Sequence, residues 1–242
     1  MKFALARMGM MMSQAARQAQ TLPETLFDLR AIDVAYQSVA ALSGISLRVA
    51  EGEKVALIGS SGAGKTTLLN TFYQMRPTET AIIHQHFALV PQLTVFHNIY
   101  IGRLDRHPFF FNALNLIKPQ AGEIRAIKPI VARLGLEAKL FVRVGELSGG
   151  QQQRVAVGRA MYRGGRILLA DEPVSSLDVQ QGTSIVKLIM ASDKTVVASL
   201  HSVDLALGFA RRIVGLRLGR ILFDLPPGQV TDELLDALYR PC

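Results

Sequence analysis

Gly59-Ser60-Ser61-Gly62-Ala63-Gly64-Lys65-Thr66 follows directly on Lys54-Val55-Ala56-Leu57-Ile58, a short apolar run. Such a run reads as a strand buried on both faces of a parallel sheet. Beyond Thr67 the residues Leu68 and Phe72 repeat at helical spacing. Strand, glycine-rich loop and helix in this order are the context of a phosphate-binding loop. The glycines let the backbone curl until its N–H groups converge on one anion. The start of the helix adds a partial positive charge at the same point. Lys65 is placed to reach terminal phosphates, and the Thr66 hydroxyl to hold Mg²⁺. The alternative is a glycine-rich turn that binds nothing.

The 242 residues suit one large domain or two small ones. Hydrophobic residues make up 49% and charged residues 19%, which excludes global disorder. No apolar run reaches the roughly 18 residues that a membrane span needs. The longest candidate, Thr195 to Ala210, is broken by His201 and Asp204. Cys242 is the only cysteine, so no disulfide forms within one chain, which suits a reducing cytosol. The net charge of +8 fits nucleic acid, an anionic membrane surface or an anionic ligand. Basic and aromatic residues do not interleave and no run of five basic residues occurs, so nucleic acid is not singled out.

Residues 1–25 crowd Met1, Met8, Met10, Met11 and Met12 before a Gln/Ala stretch. Arg7 interrupts the apolar centre that a signal peptide requires. The expectation is a disordered extension, or translation started upstream of the natural site. Alternation in Phe27, Leu29, Ile32, Val34 and Tyr36 predicts a strand, Ser46–Val49 a second, and Ala81–Ile83 a short one. Residues 94–145 read as helix and loop. Ile124, Ile127, Val131 and Leu134 share a helical face, and Pro129 predicts that this helix starts late, near residue 129. Ile167–Ala170 and Thr195–Leu200 read as buried strands. Ile213–Leu216 and Ile221–Phe223 form a hairpin, and Thr231 caps a last helix. The fold class is α/β, with a mainly helical insertion.

Three apolar strands end in polar residues: the phosphate loop, Asp171-Glu172 and His201. Parallel sheets bind ligands beyond the carboxyl ends of their strands, so all three are expected to face one crevice. Asp171 is placed to hold Mg²⁺, and Glu172 to polarise a water. Alone, such a pair also fits a strand that ends in solvent-facing acids. Leu147-Ser148-Gly149-Gly150-Gln151 carries a capping-box pattern from Ser148 to Gln151 and predicts a helix from there. Ser148, Gly149 and Gly150 at its start make a second phosphate site. One subunit does not need two terminal-phosphate sites, so this one is expected to serve an ATP held by another subunit.

These residues together resemble the ATP-binding cassette (ABC) family of transporter ATPases, over about residues 26–242. Walker A is Gly59–Thr66, Walker B is Ile167–Asp171 followed by Glu172, and the signature is Leu147–Gln151. The D-loop is Ser175–Asp178, the switch histidine His201, the Q-loop glutamine Gln85 and the adenine-stacking aromatic Tyr36. The resemblance implies a P-loop NTPase fold with a RecA-like parallel core, an antiparallel β subdomain and a helical subdomain at about 93–160. It implies ATP and Mg²⁺ as cofactors, with the nucleotide on Gly59–Thr67 and the metal on Thr66, Gln85 and Asp171. Glu172 is then the general base, His201 contacts the γ-phosphate and Lys65 the β- and γ-phosphates. Ser148, Gly149 and Gly150 act on the partner's ATP. Read singly, Tyr36 also fits a buried strand aromatic, Gln85 a loop amide and His201 a core histidine.

Ser199–Ala206, Ala170–Asp178 and Ile213–Asp224 are similar to phosphonate-importer ATPases. The resemblance implies an ATPase subunit peripheral to the cytoplasmic face of the inner (plasma) membrane. It implies a homodimer, transmembrane permease subunits and, indirectly, a solute-binding protein, with no nucleic acid. The alternatives are an importer ATPase for another anion or a polar amino acid, a soluble cassette acting on nucleic acid, and a scaffolding cassette without activity. Between Lys65 and Gln85 the chain is shorter than the family usually is, lacking most of one hairpin of the antiparallel subdomain. That shortening is expected to uncover strand edges near Ile32–Val34 and Ala81–Ile83 and to leave Gln85 loosely held. His107–Phe111 reads as core of the helical insertion, or else as a permease-docking surface.

Overall fold

Strands and helices alternate along most of the chain, and the computed structural model describes them over residues 23–37 and 39–240. The methionine-rich extension through residue 22 and Cys242 lie outside the described residues. Strands β1 (Thr25–Tyr36) and β2 (Val39–Ala50) pair antiparallel in a sheet of their own. A six-stranded sheet contains β3 (Lys54–Ile58), β4 (Thr80–Ile83), β5 (Ile167–Asp171), β6 (Thr195–Ser199), β7 (Arg212–Arg217) and β8 (Arg220–Leu225). Its order is β4-β5-β6-β3-β7-β8, parallel throughout except for the antiparallel β7–β8 hairpin.

Every residue of β3, β5 and β6 is buried, as their unbroken apolar runs predict. Alternate residues feed two cores. Val55, Leu57, Leu169 and Val197 pack with β1, β2 and helix α1 (Lys65–Met75), where the Phe27 and Phe72 rings lie 4.4 Å apart. Ala56, Ile58, Leu168, Ala170 and Val196 face the other helices. Parallel register sets Asp171 beside Ser199, and Leu57 beside the same Ser199, so the carboxyl ends of β3, β5 and β6 lie side by side.

Between β4 and β5 run α2 (Val95–Tyr100), α3 (Phe109–Ile117), α4 (Ala121–Arg133) and α5 (Gly149–Arg163). Helix α4 begins at Ala121, eight residues before the start that Pro129 suggested, and Pro129 lies inside it. Burial of Ile127 and Val131 outweighs the hydrogen bond that proline cannot make. Helix α3 overturns the expectation that His107–Phe111 is core. Phe109 and Phe110 are 78% and 84% exposed, while Asn112 and Asn115 turn inward to bond Tyr100, Leu104 and Phe111. Residues 76–79 join α1 to β4 directly. Strand β4 is a sheet edge, yet Thr80, Ala81 and Ile83 are buried under the helical layer, so that edge is covered, contrary to expectation. Ile32 and Val34 on β1 are half-buried.

Helices α6 (Val179–Met190), α7 (Val203–Phe209) and α8 (Asp232–Tyr239) complete the fold. Thr231 caps α8 by accepting from the Leu234 N–H, and Asp232 and Glu233 occupy its first turn.

Candidate active site

The loop between β3 and α1 has backbone geometry open only to glycine at two points. Gly59 has φ +148°, and a Cβ there would sit 2.1 Å from the Leu216 carbonyl oxygen. Gly64, with φ +102°, leaves 2.8 Å between such a Cβ and the Ala41 oxygen. Gly64 is also the N-cap of α1 and has no side chain to occupy the first N–H groups of the helix. The Lys65 Nζ donates to the Gly59 and Ser60 carbonyls at 2.7 and 2.9 Å. Burial pushes the Lys65 ammonium below its ordinary pKa, and the charges of Glu172 and Asp171 oppose that shift.

Across the cleft, the Thr66 hydroxyl donates to Asp171 Oδ2 at 2.7 Å. The other Asp171 oxygen accepts from the Ser199 hydroxyl at 2.6 Å, and Ser199 Oγ accepts from the Glu172 N–H at 2.9 Å. Glu172 is left-handed, with φ +48°. Its Oε1 lies 2.7 Å from His201 Nε2, and its Oε2 accepts from Gln85 Nε2 at 2.9 Å. The three sites widely spaced in sequence therefore meet around Glu172. Gln85, Glu172 and Ser61–Thr67 line one cleft of about 280 Å³. Gln85 is not loosely held as the shortened segment suggested. Its carboxamide is bonded, and Arg159 grips the backbone just beyond it.

Ser148 caps α5 with the reciprocal box its spacing predicts: its hydroxyl accepts from the Gln151 N–H, and Gln151 Oε1 accepts from the Ser148 N–H. Gly149 and Gly150 lie against Ser176 and Leu177 and are not drawn into the Lys65 cleft. Tyr36, at the end of β1, is 56% exposed rather than a buried strand aromatic.

Three residues beside the cleft were not singled out by sequence. Ser199 bonds both acids. Gln153, wholly buried, donates to the Glu172 carbonyl at 3.1 Å and accepts from the Ser176 N–H at 3.0 Å. Arg159 donates to the Phe87 and Ala88 carbonyls at 2.5 and 2.6 Å. No local signal marked them: Gln153 follows Gln151 and Gln152 in the polar start of α5 and differs from them only in being buried.

The family model described as ABC transporter matches residues 42–175. The chain is 38% identical over 230 residues to the phosphonates import ATP-binding protein PhnC of Pseudomonas putida, covering 83% of this chain and 85% of that one. It is 41% identical to phosphonates import ATP-binding protein PhnC 1 of Pseudomonas aeruginosa, covering 82% and 85%. The ATP-binding cassette MJ0796, solved as a dimer bound to ADP and Pi, superposes with a TM-score of 0.70 at 26% identity, over 83% of this chain and 98% of that one. A nucleotide-free cassette from an ABC transporter shares the fold, with a TM-score of 0.70 over 90% and 95% of the two chains. The chain belongs to the ABC transporter family, and within it to the ATP-binding cassettes.

Proposed function

We propose that this chain is the ATP-hydrolysing subunit of an importer for phosphonates or a related oxyanion. The solute assignment rests on the names of the curated relatives. The hydrolytic assignment rests on one observation, the convergence of Gln85, Glu172 and His201 beside the Lys65 loop.

The residues fit a nucleotide with Mg²⁺. The glycine loop leaves its N–H groups and the start of α1 free of side-chain caps, as a phosphate cradle requires. The Thr66 hydroxyl at the start of α1 and the Asp171 carboxylate at the end of β5 offer hard oxygens side by side. Among the described residues no group of three or more His, Cys, Asp or Glu could hold a metal. Mg²⁺ would thus rest on these two oxygens, the Gln85 carboxamide, phosphate and water, as Mg²⁺ tolerates. Bound there, Mg²⁺ supplies neutralisation of phosphate charge.

Lys65 binds the β- and γ-phosphates in place of its present carbonyl partners. Glu172 takes a proton from the attacking water on a carboxylate oxygen. His201 and Gln85 hold one carboxylate oxygen each, fixing its plane before the water arrives, and His201 contacts the γ-phosphate. Tyr36 stacks on adenine. Ser148, Gly149 and Gly150, which do not line the Lys65 cleft, complete the site of a second copy in a head-to-tail homodimer. We assign residues 26–242 to the cassette, with its helical subdomain at about 93–160. Helix α3 serves as the permease-docking face, beside a groove of about 460 Å³ lined by His97, Tyr100, Leu104, Phe109 and Leu116. The subunit is placed at the cytoplasmic face of the membrane, and no described helix is long and apolar enough to cross it.

Glu172→Gln tests the reading. The variant should bind Mg-ATP, stop turning over and run as an ATP-bound dimer on sizing chromatography. Turnover at the wild-type rate removes Glu172 as the base.

A further inference from the structure

Glu172 and Gln85 meet in the cleft, yet neither is held there by its own strand. Glu172 lies just past the end of β5 with φ +48°. Phe87 and Ala88, just beyond Gln85, have φ +57° and +47° in succession. Residues with a Cβ occupy this region at an energetic cost and stay there only when their surroundings fix them. All three strained residues have a carbonyl gripped by the same helix. From α5, the Gln153 carboxamide donates to the Glu172 carbonyl and accepts from the Ser176 N–H, spanning the whole turn after β5. Six residues on, the Arg159 guanidinium forks onto the Phe87 and Ala88 carbonyls. Gln153 is shut off from solvent, and Arg159 is partly buried. That burial holds the Arg159 guanidinium below its ordinary pKa. A guanidinium is costly to desolvate, and this one is spent on two backbone carbonyls.

We propose that Gln153 and Arg159 are positioning residues, through which helix α5 aims Glu172 and Gln85 at each other. This rests on Glu172 being the base. Gln153 sets the backbone from which the carboxylate projects. Arg159 sets the bend that returns the chain after Gln85, and so the reach of its carboxamide to Glu172 Oε2. Neither lines the cleft around Lys65, so their loss should act on turnover more than on binding.

The test uses the full-length chain carrying Gln153→Met or Arg159→Met, with melting curves recorded to verify folding. Each variant should lose about 10- to 100-fold in kcat, the scale of a small misplacement of a reacting group. For Gln153→Met, KM and the equilibrium affinity for Mg-ATP should stay within about twofold of wild type. For Arg159→Met, whose Gln85 also stands at the Mg²⁺ position, any loss of affinity should stay well below the loss in kcat, because binding and the chemical step separate in these two constants. In a Glu172→Gln background, Gln153→Met should lower the residual rate no further, and Arg159→Met should add nothing to Gln85→Ala. Arg159→Lys, which keeps the charge and reaches one carbonyl, should recover part of the loss. If a methionine variant does not fold, Gln153→Glu, which still accepts from Ser176 but no longer donates to Glu172, and Arg159→Lys give the same measurement. Wild-type kcat in the folded variants overturns the proposal, as do losses shared equally by nucleotide affinity or multiplying with Glu172→Gln. Wild-type turnover of Glu172→Gln itself would instead overturn the assignment of the base.

Discussion

Ser199 shows how much of the site is set by a single hydroxyl. It is fully buried at the end of β6, donates to Asp171 and accepts from the Glu172 backbone. Ser199→Ala leaves a buried carboxylate oxygen and a buried N–H without that partner, which costs about 1–3 kcal/mol. The expected outcome is a loss of that size in denaturant unfolding, together with slower turnover as Glu172 drifts. An unchanged midpoint and rate would mean that another group takes over both bonds. The bonds of Ser199, Gln153 and Arg159 span 28, 19 and 71 residues of chain. Periodicity reports which face a residue lies on and says nothing of a partner so distant, so these three escaped the sequence. Lys65, Asp171 and Glu172 did not, because each ends or follows an apolar strand that is itself legible.

Among the elements, those buried on all sides were the easiest to read. The apolar runs of β3, β5 and β6 have no second interpretation, whereas α4 and α3 did. Pro129 suggested a helix boundary, and the apolar face through Ile127 and Val131 overrode it. Helix α3 has its apolar residues outside, and composition alone assigns such a run to a core. If α3 is the docking face, Phe110→Glu should leave melting and ATP binding unchanged while abolishing co-purification with the permease; retained co-purification rejects that role. The turn of residues 76–79, in the segment that sequence predicts to be shortened, is held by charge. Arg166 donates to Glu79 at 2.5 Å and to Glu24 at 2.8 Å, and Arg76 donates to Glu79 at 3.0 Å. The hydrogen bond from Arg166 holds both carboxyls below their ordinary value of 4.5. Their contribution to stability is therefore complete above 4.5 and is lost as pH falls through the lower folded values. Arg166→Met should lower the melting temperature at neutral pH, and the two melting curves should converge in acid. A constant gap across pH would show that the network contributes nothing through charge.

For the whole molecule, the order of motifs along the chain was enough to give the parallel core, its crevice and the insertion. The mechanical effect of the shortened segment was not legible. Sequence suggested a loosened Gln85, because it counts missing residues and does not show what grips those that remain. Among the described residues the antiparallel sheet consists of β1 and β2, and β1 has no second strand beside its other edge. That edge is irregular, with register shifts from Leu29 to Val34, and it carries the Asp28–Arg30 ion pair, features that discourage pairing with another chain. Gln85 takes its position from Glu172 and from the Arg159 clamp, both outside that sheet. The small sheet, which reaches the cleft through Ala41 and carries Tyr36, is thus not what positions Gln85. A variant with an antiparallel hairpin inserted between the exposed Pro77 and Thr78 tests this separation. Enlarging a surface loop costs little, about 0.6 kcal/mol per doubling of its length. The melting temperature should therefore change slightly, while Mg-ATP affinity and kcat stay within about twofold of wild type. Any self-association through β1 should fall as the new strand covers its edge. A kcat that rises or falls by about tenfold, with binding intact, would mean that the antiparallel sheet acts on Gln85 through the turn after α1. The Arg159 clamp would then not be sufficient to fix it.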